Sequence, residues 1–173
     1  SGEQVTVGLL SKLLNKMGIK SLPLLGWQVP IITDSSYEKA KILNIDKKNI
    51  LNYFEIYDVI VLAGFQGVNV DGKITSLGRG GSDTSAVALA AALNADACEI
   101  YTDVPGVFTT DPRKVKSAQL MKTVSCEEML ELASLGAAVL HPRAVEIARN
   151  YGVKLIVRSS WEQNPGTILT SPK

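Results

Sequence analysis

Charge of one sign is what this sequence most lacks. Lys and Arg number 18 and Asp and Glu 17 in 173 residues, a formal net charge of +1. That balance offers no electrostatic case for nucleic acid or an anionic membrane as partner, while leaving room for a local basic site. Cysteine is scarce: Cys98 and Cys126 give no disulfide framework and read as reduced thiols of a cytoplasmic protein. Histidine is scarcer, and with His141 alone and no paired cysteines a zinc site is not expected. No apolar run approaches the length of a membrane span. No basic segment followed by an apolar run opens the chain, so no signal peptide is expected. Repeats and low-complexity tracts are absent as well.

What is present is ordinary for a folded domain. Hydrophobic residues make up 46% and charged residues 20%, which excludes a disordered chain. A chain of this length supports one domain with a substantial core.

Leu10, Leu13, Leu14 and Met17 share one face at helical spacing, and Gly18 ends that helix. A strand is expected ahead of it in an alternating chain, so an N-terminal piece is expected to be missing. Strands are expected around Leu22–Leu25 and Val29–Ile32, and a short helix over Lys47–Phe54. Asp58 to Gly64 is a β-branched run ending in glycine, the pattern of a strand buried on both faces. Val68 to Thr75 reads as a hairpin with a tight primed turn at Asp71-Gly72. Asp83 to Leu93 is an alanine-rich helix, apolar all round and therefore buried. Ala97 to Tyr101 is a core strand. Ser125-x-x-Glu128 is a capping box before a helix running to about Leu135, with Glu127, Glu128 and Glu131 on its solvated side. Pro142 to Asn150 is a helix with proline in its first turn. Lys154–Arg158 and Gly166–Leu169 close the pattern as strands. The alternation predicts an α/β fold with a mainly parallel sheet and helices on both faces, where ligands gather beyond strand ends.

Four segments carry candidate chemistry. Gly78-Arg79-Gly80-Gly81-Ser82-Asp83-Thr84 precedes the alanine-rich helix. Its glycines let backbone N–H groups approach an anion, the helix start adds its positive dipole end, and Arg79 can grip a carboxylate or phosphate with two prongs. A glycine-rich turn with a helix cap is the alternative. It is neither a P-loop nor a dinucleotide fingerprint. Tyr101 to Arg113 follows a core strand and offers an aromatic ring, polar groups and an arginine, against the alternative of a loop held by Asx turns at Asp103 and Asp111. Gly64-Phe65-Gln66-Gly67 is either a close approach to a ligand or a strand-to-hairpin turn. Glu3, in the first turn of a helix, is by local chemistry only a favourable dipole partner.

Taken together these segments resemble the aspartokinases of the amino acid kinase family over nearly the whole chain. The blocks are Glu3-Gln4, Leu25-Gly26-Trp27-Gln28, Gly64 to Gly67, Gly78 to Asp83, Tyr101 to Arg113 and Glu127 to Gly136, in the family's order. The resemblance implies the amino acid kinase (carbamate kinase-like) fold, a three-layer α/β/α sandwich around a mainly parallel sheet. It implies that residues 1–173 are part of one catalytic domain, with no regulatory ACT domain. It implies a reaction: ATP and L-aspartate give 4-phospho-L-aspartate and ADP, the first step towards lysine, methionine and threonine, with Mg2+ accompanying ATP. By resemblance Glu3 meets the substrate's amino group, Arg79 clamps its α-carboxylate, and Phe65 and Ser82 line the pocket. Asp83 orients a catalytic lysine. Thr102, Asp103, Phe108 and Arg113 surround ATP, with Phe108 standing where tyrosine is usual.

Two departures carry expectations of their own. Ala138 stands two residues after Gly136, where the family often has a nucleotide-binding lysine. The Lys-Phe-Gly-Gly-Thr-Ser type loop that opens aspartokinases has no counterpart in the 173 residues. Because phosphoryl transfer rests on positioning and charge stabilisation, and one such group is worth about 10²–10³ in rate, the chain alone is expected to turn over weakly or not at all. Two other readings stand beside this one: an amino acid kinase acting on glutamate, and a non-catalytic module that binds an amino acid or nucleotide. Self-association, or pairing with an N-terminal segment, is expected to cover exposed apolar surface.

Overall fold

A computed structural model describes residues 2–134 and 139–170. The chain forms two compact units, residues 1–85 and 86–173. Gly136, Ala138 and the expected helix end at Leu135 fall outside the described residues.

In the first unit, α1 (Gly2–Lys16) leads to β1 (Ser21–Leu24), β2 (Ile31–Thr33), β3 (Ile42–Ile45), α2 (Lys47–Phe54), β4 (Val59–Leu62), β5 (Gln66–Val68) and β6 (Ile74–Ser76). Parallel β1 and β4 form a two-stranded sheet, Ser21 opposite Val59 and Leu24 opposite Leu62. A mixed sheet runs β3-β2-β5-β6, with β2 and β5 parallel and the outer pairs antiparallel. Ile31 and Val29 are fully enclosed. Gly67 permits that packing, since a Cβ there would lie 2.5 Å from Thr33 Cγ2. The hydroxyls of Thr33 and Thr75 meet at 2.6 Å, so neither buried oxygen is left unpaired.

The helix over residues 2–16 forms as the periodicity predicts, but its leucine stripe faces outward. Leu10, Leu13 and Met17 are exposed, whereas Val7 and Ser11 are buried. Polar contacts with β1 set the rotation. Asn15 accepts from the Ser21 N–H and donates to the Ser21 carbonyl, and Ser11 Oγ meets Ser21 Oγ at 2.9 Å. Asn15 thus satisfies the strand's first residue as a neighbouring strand would. A hydrophobicity count cannot foresee this.

Two further expectations are corrected here. β4 is half-buried along its whole length, not enclosed on both faces, because it belongs to a sheet of only two strands. The hairpin of β5 and β6 is present, but its turn spans residues 69–73 rather than two residues. Asn69 closes it: its Oδ1 accepts from the N–H groups of Asp71 and Lys73. That Asx-type closure displaces the primed turn that Asp71-Gly72 alone suggested.

α3 (Gly81–Leu93) crosses from the first unit to the second. Then come β7 (Cys98–Thr102), β8 (Thr123–Ser125), α4 (Cys126–Ser134), α5 (Pro142–Tyr151), β9 (Leu155–Ser159) and β10 (Thr167–Thr170). Their sheet runs β7-β9-β10-β8, parallel at both outer pairs and antiparallel at its centre. The core gathers Val87, Val107, Met129, Leu140, Leu155 and Val157. Cys98 and Cys126 are both buried. β7 is half-buried rather than a core strand throughout: Tyr101 and Glu99 point outward. The sheets are mixed with parallel pairs most extensive, as an α/β chain predicts.

His141 caps α5, its Nδ1 accepting from the Arg143 N–H at 3.3 Å, with Pro142 next and left-handed Gly152 ending the helix. The capping box of α4 is complete: Ser125 Oγ accepts from the Glu128 N–H at 3.1 Å, and the Glu128 carboxylate accepts from the Ser125 N–H at 2.8 Å. Ser125→Ala is expected to cost about 1 kcal/mol, lowering Tm by about 2–4 °C in a thermal melt. The Ser125 N–H holds the Glu128 carboxyl below its ordinary 4.5. Since the folded value is depressed, this stabilisation is complete above pH 4.5 and is lost as pH falls through the folded value. Glu128→Gln is expected to remove that part of the acid dependence of Tm.

Candidate functional site

The glycine-rich block reaches the start of α3 through three glycines, two of them left-handed. Gly78 has φ 77° and Gly80 φ 72°. A Cβ on Gly78 would sit 2.9 Å from the Glu38 carbonyl oxygen, so backbone conformation and close packing both require glycine. Arg79, between them, is exposed. Gly81 opens α3, and Ser82 and Asp83 occupy its first turn, where an anion is favoured.

Into this turn comes Glu3 from the first turn of α1. Ser82 Oγ donates to Glu3 Oε1 at 2.6 Å, joining residues 79 positions apart. Local sequence chemistry gave Glu3 only a dipole role; the fold gives it a partner in the very segment that carried the anion-site signal. A carboxylate has about four acceptor sites, so one hydroxyl leaves capacity for a cationic ligand.

Phe65 flanks the same turn. It has φ 68°, a left-handed conformation that is uncommon outside glycine. Ser85 maintains it: the Phe65 N–H donates to Ser85 Oγ, which donates in turn to the Ser82 carbonyl. Glycines at both sides make room, since a Cβ on Gly64 would lie 2.9 Å from Ser85 Oγ and one on Gly81 2.9 Å from Phe65 Cδ2. Backbone strain of about 1–3 kcal/mol concentrates at functional positions. Ser85 was not foreseen; its only sequence signal is the run of hydroxyls, Ser82, Thr84 and Ser85, at a helix start.

The second unit holds the other candidates. Thr102 ends β7, its hydroxyl donating to Asp103 Oδ1 at 3.2 Å. Phe108 is half-buried and bridged antiparallel to Leu120. Arg113 grips Asp111 with two prongs, Nε to Oδ1 at 3.1 Å and Nη2 to Oδ2 at 3.2 Å, while remaining largely in solvent. The Arg113 guanidinium holds the Asp111 carboxyl below its usual range; Asp111, and more weakly Asp103, raise Arg113. Asp111 is thus an orienting partner for Arg113, beyond the Asx turn that the sequence suggested.

Beside Thr102, a cavity of about 340 Å³ opens at the C-terminal ends of β7 and β9, lined by Tyr101, Arg158, Ser159 and residues 162–165. The Glu99 carboxylate accepts from the Tyr101 hydroxyl at 2.8 Å and holds that phenol above its ordinary value. Arg158 Nε lies 3.2 Å from the same carboxylate but is not aligned to donate, so the contact is an ion pair rather than a hydrogen bond.

The structure therefore brings together Glu3, Ser82, Phe65 and the start of α3 in one unit, with Arg79 on the adjoining loop. Thr102, Asp103, Phe108 and Arg113 share a loop in the other. Among the described residues no three His, Cys, Asp or Glu side chains cluster as a metal site. No helix among them is long and apolar enough to cross a membrane.

The chain is similar throughout to proteins of one family. The model of the amino acid kinase family matches residues 1–159. An aspartokinase of Bacillus sp. (strain MGA3) is 57% identical over 98% of this chain and 41% of its own length. Aspartokinase 2 of Bacillus subtilis (strain 168) is 56% identical over the same shares. The chain thus spans about two-fifths of the length of these relatives. Among solved structures, E. coli aspartokinase III in complex with aspartate and ADP superposes with a TM-score of 0.89 at 31% identity, over 99% of this chain and 39% of that one. Aspartate kinase from Synechocystis superposes with a TM-score of 0.85 at 56% identity, over 99% and 28%. This chain therefore belongs to the amino acid kinase family.

Proposed function

We propose that residues 1–173 form part of the catalytic domain of a cytoplasmic aspartate kinase, which transfers the γ-phosphoryl group of Mg-ATP to the side-chain carboxylate of L-aspartate. The observation that carries this reading is the Glu3–Ser82 hydrogen bond beside the Arg79 loop. L-Aspartate presents one ammonium and two carboxylates. Glu3 supplies the anion for the ammonium, and Arg79 the fork for the α-carboxylate. Ser82 and Phe65 shape the pocket, leaving the side-chain carboxylate to accept the phosphoryl group. Asp83 is assigned to orient the catalytic lysine of the Lys-Phe-Gly-Gly-Thr-Ser type loop, which the 173 residues do not contain. The complex of E. coli aspartokinase III with aspartate and ADP supports both ligand classes.

In this reading Thr102 and Asp103 receive the nucleoside, Phe108 packs against it, and Arg113, oriented by Asp111, meets the phosphates. Magnesium enters with the nucleotide, as it commonly does, holding phosphate oxygens and water. The experiment is a hydroxamate trap with Mg-ATP, run once with aspartate and once with glutamate. Slow product from aspartate and none from glutamate is expected. Product from glutamate, or no product together with no binding of either amino acid, overturns the reading.

Self-association belongs to the same proposal. Val5, Leu9 and Leu13 on α1, and Met17 just beyond its end, stand exposed at four-residue intervals, an apolar stripe of the kind that marks an interface. Light scattering is expected to give a mass above 18.6 kDa, and Leu9→Glu with Leu13→Glu to return it to the monomer. A monomeric parent chain contradicts this.

A further inference from the structure

The nucleotide reading depends on how the excursion after β7 is held, and a buried hydroxyl joins the backbone bonds that hold it. The arms of that excursion run side by side: the Met121 N–H donates to the Val107 carbonyl at 2.8 Å, and the Thr109 N–H to the Gln119 carbonyl at 3.0 Å. At the neck sits Thr167, the first residue of β10, with no exposed surface. Its Oγ1 accepts from the Val107 N–H at 2.9 Å and donates to the Met121 carbonyl at 2.6 Å. A hydroxyl is donor and acceptor at once, so this single group bonds both arms.

The backbone is shaped around that contact. Gly106, next to Val107, has φ 153°, and a Cβ there would lie 2.5 Å from Thr167 Oγ1. Only glycine lets the arm come so close. Val107 is itself buried. Without the hydroxyl the buried Val107 N–H loses its partner and the Met121 carbonyl loses a donor, and the neck must loosen to recover them.

We propose that Thr167 is a positioning residue for nucleotide binding: its hydroxyl ties Val107 to Met121 and so fixes the loop that presents Phe108 and Arg113. This inference rests on the nucleotide reading given above. Valine keeps the shape of threonine and removes both hydrogen bonds, whereas serine keeps the hydroxyl.

The test is calorimetric titration with Mg-ATP and with L-aspartate, together with hydrogen exchange at the Val107 amide. Thr167→Val is expected to raise the Kd for Mg-ATP about tenfold, the scale of one or two lost hydrogen bonds. Faster exchange at Val107 and an unchanged Kd for aspartate are expected with it. Thr167→Ser is expected to bind Mg-ATP within about twofold of the parent, by the same scale. A folded Thr167→Val chain with the parent's affinity for Mg-ATP overturns the proposal, since a merely structural threonine lowers Tm without moving that Kd. Should Thr167→Val fail to fold, Thr167→Cys decides, because a thiol is a weak donor and acceptor: affinity below the serine variant supports the role and equal affinity overturns it. A parent chain that binds no Mg-ATP overturns the nucleotide reading itself. The neck is then judged by exchange alone, and unchanged exchange at Val107 in the valine variant contradicts it.

Discussion

Arg79→Ala is expected to weaken L-aspartate binding about a hundredfold while leaving Tm unchanged. The size follows from the bond removed: a charge-assisted, two-pronged contact is among the strongest that a side chain makes, and truncating it leaves the ligand's α-carboxylate without a partner. The selectivity follows from position. Arg79 lies outside the helices and strands, exposed between Gly78 and Gly80, so its loss removes no core packing and its effect on stability should fall within about 0.5 kcal/mol. Lysine is not expected to restore the affinity, because a point charge cannot reproduce the fork. Calorimetry on the two variants beside a thermal melt checks all three statements. Parent-like affinity in Arg79→Ala would remove Arg79 from the pocket.

Gly166→Ala is expected to have the largest effect on folding. Gly166 has φ 71°, and a Cβ there would collide with the Val157 carbonyl oxygen. No flexible side chain can yield, since the obstacle is the backbone of β9 where β10 begins to pair with it, Thr167 opposite Val157. Gly72 makes the comparison sharp. Its φ is 75°, nearly the same, but a Cβ would meet nothing within 4 Å. Gly72→Ala therefore bears only the left-handed strain of about 1–2 kcal/mol, whereas Gly166→Ala adds a backbone collision. A total of about 4 kcal/mol or more is expected, a large share of the 5–15 kcal/mol that holds a typical domain. Urea unfolding of both variants gives the measurement. Equal losses would mean that the close approach at β9 carries no energy.

How much of this was legible beforehand depends on the range of the interaction. The capping box at Ser125 and Glu128, the proline-led helix at Pro142 and the helix over Lys47–Phe54 rest on contacts within a few residues. Those elements are where the sequence predicts them. The rotation of α1 was not legible, because Asn15 and Ser11 are satisfied by Ser21 of the next strand, and a polar stripe reads as solvent-facing until its partner is known. The turn at Asn69 misled for the opposite reason: Asp71-Gly72 is a strong local signal, and the Asn69 side chain outweighs it with two backbone hydrogen bonds.

The site divides in the same way. The glycines and hydroxyls around Arg79 read, by local chemistry, either as an anion site or as a glycine-rich turn with a helix cap. Glu3 joins them only through a contact that spans most of the first unit. Thr167 gave no signal at all, since its role exists only once β10 lies beneath the loop from Val107 to Met121.

The central proposal is an amino-acid site that joins Glu3, Arg79 and Ser82 and prefers aspartate. Its most direct test is a calorimetric titration of the chain with L-aspartate and, separately, with L-glutamate, each in the presence of Mg-ATP. Saturable binding of aspartate is expected, with glutamate weaker by about tenfold or more, the discrimination that one methylene commonly supplies. Equal affinity for the two, or no binding of aspartate to a folded chain, would contradict the account.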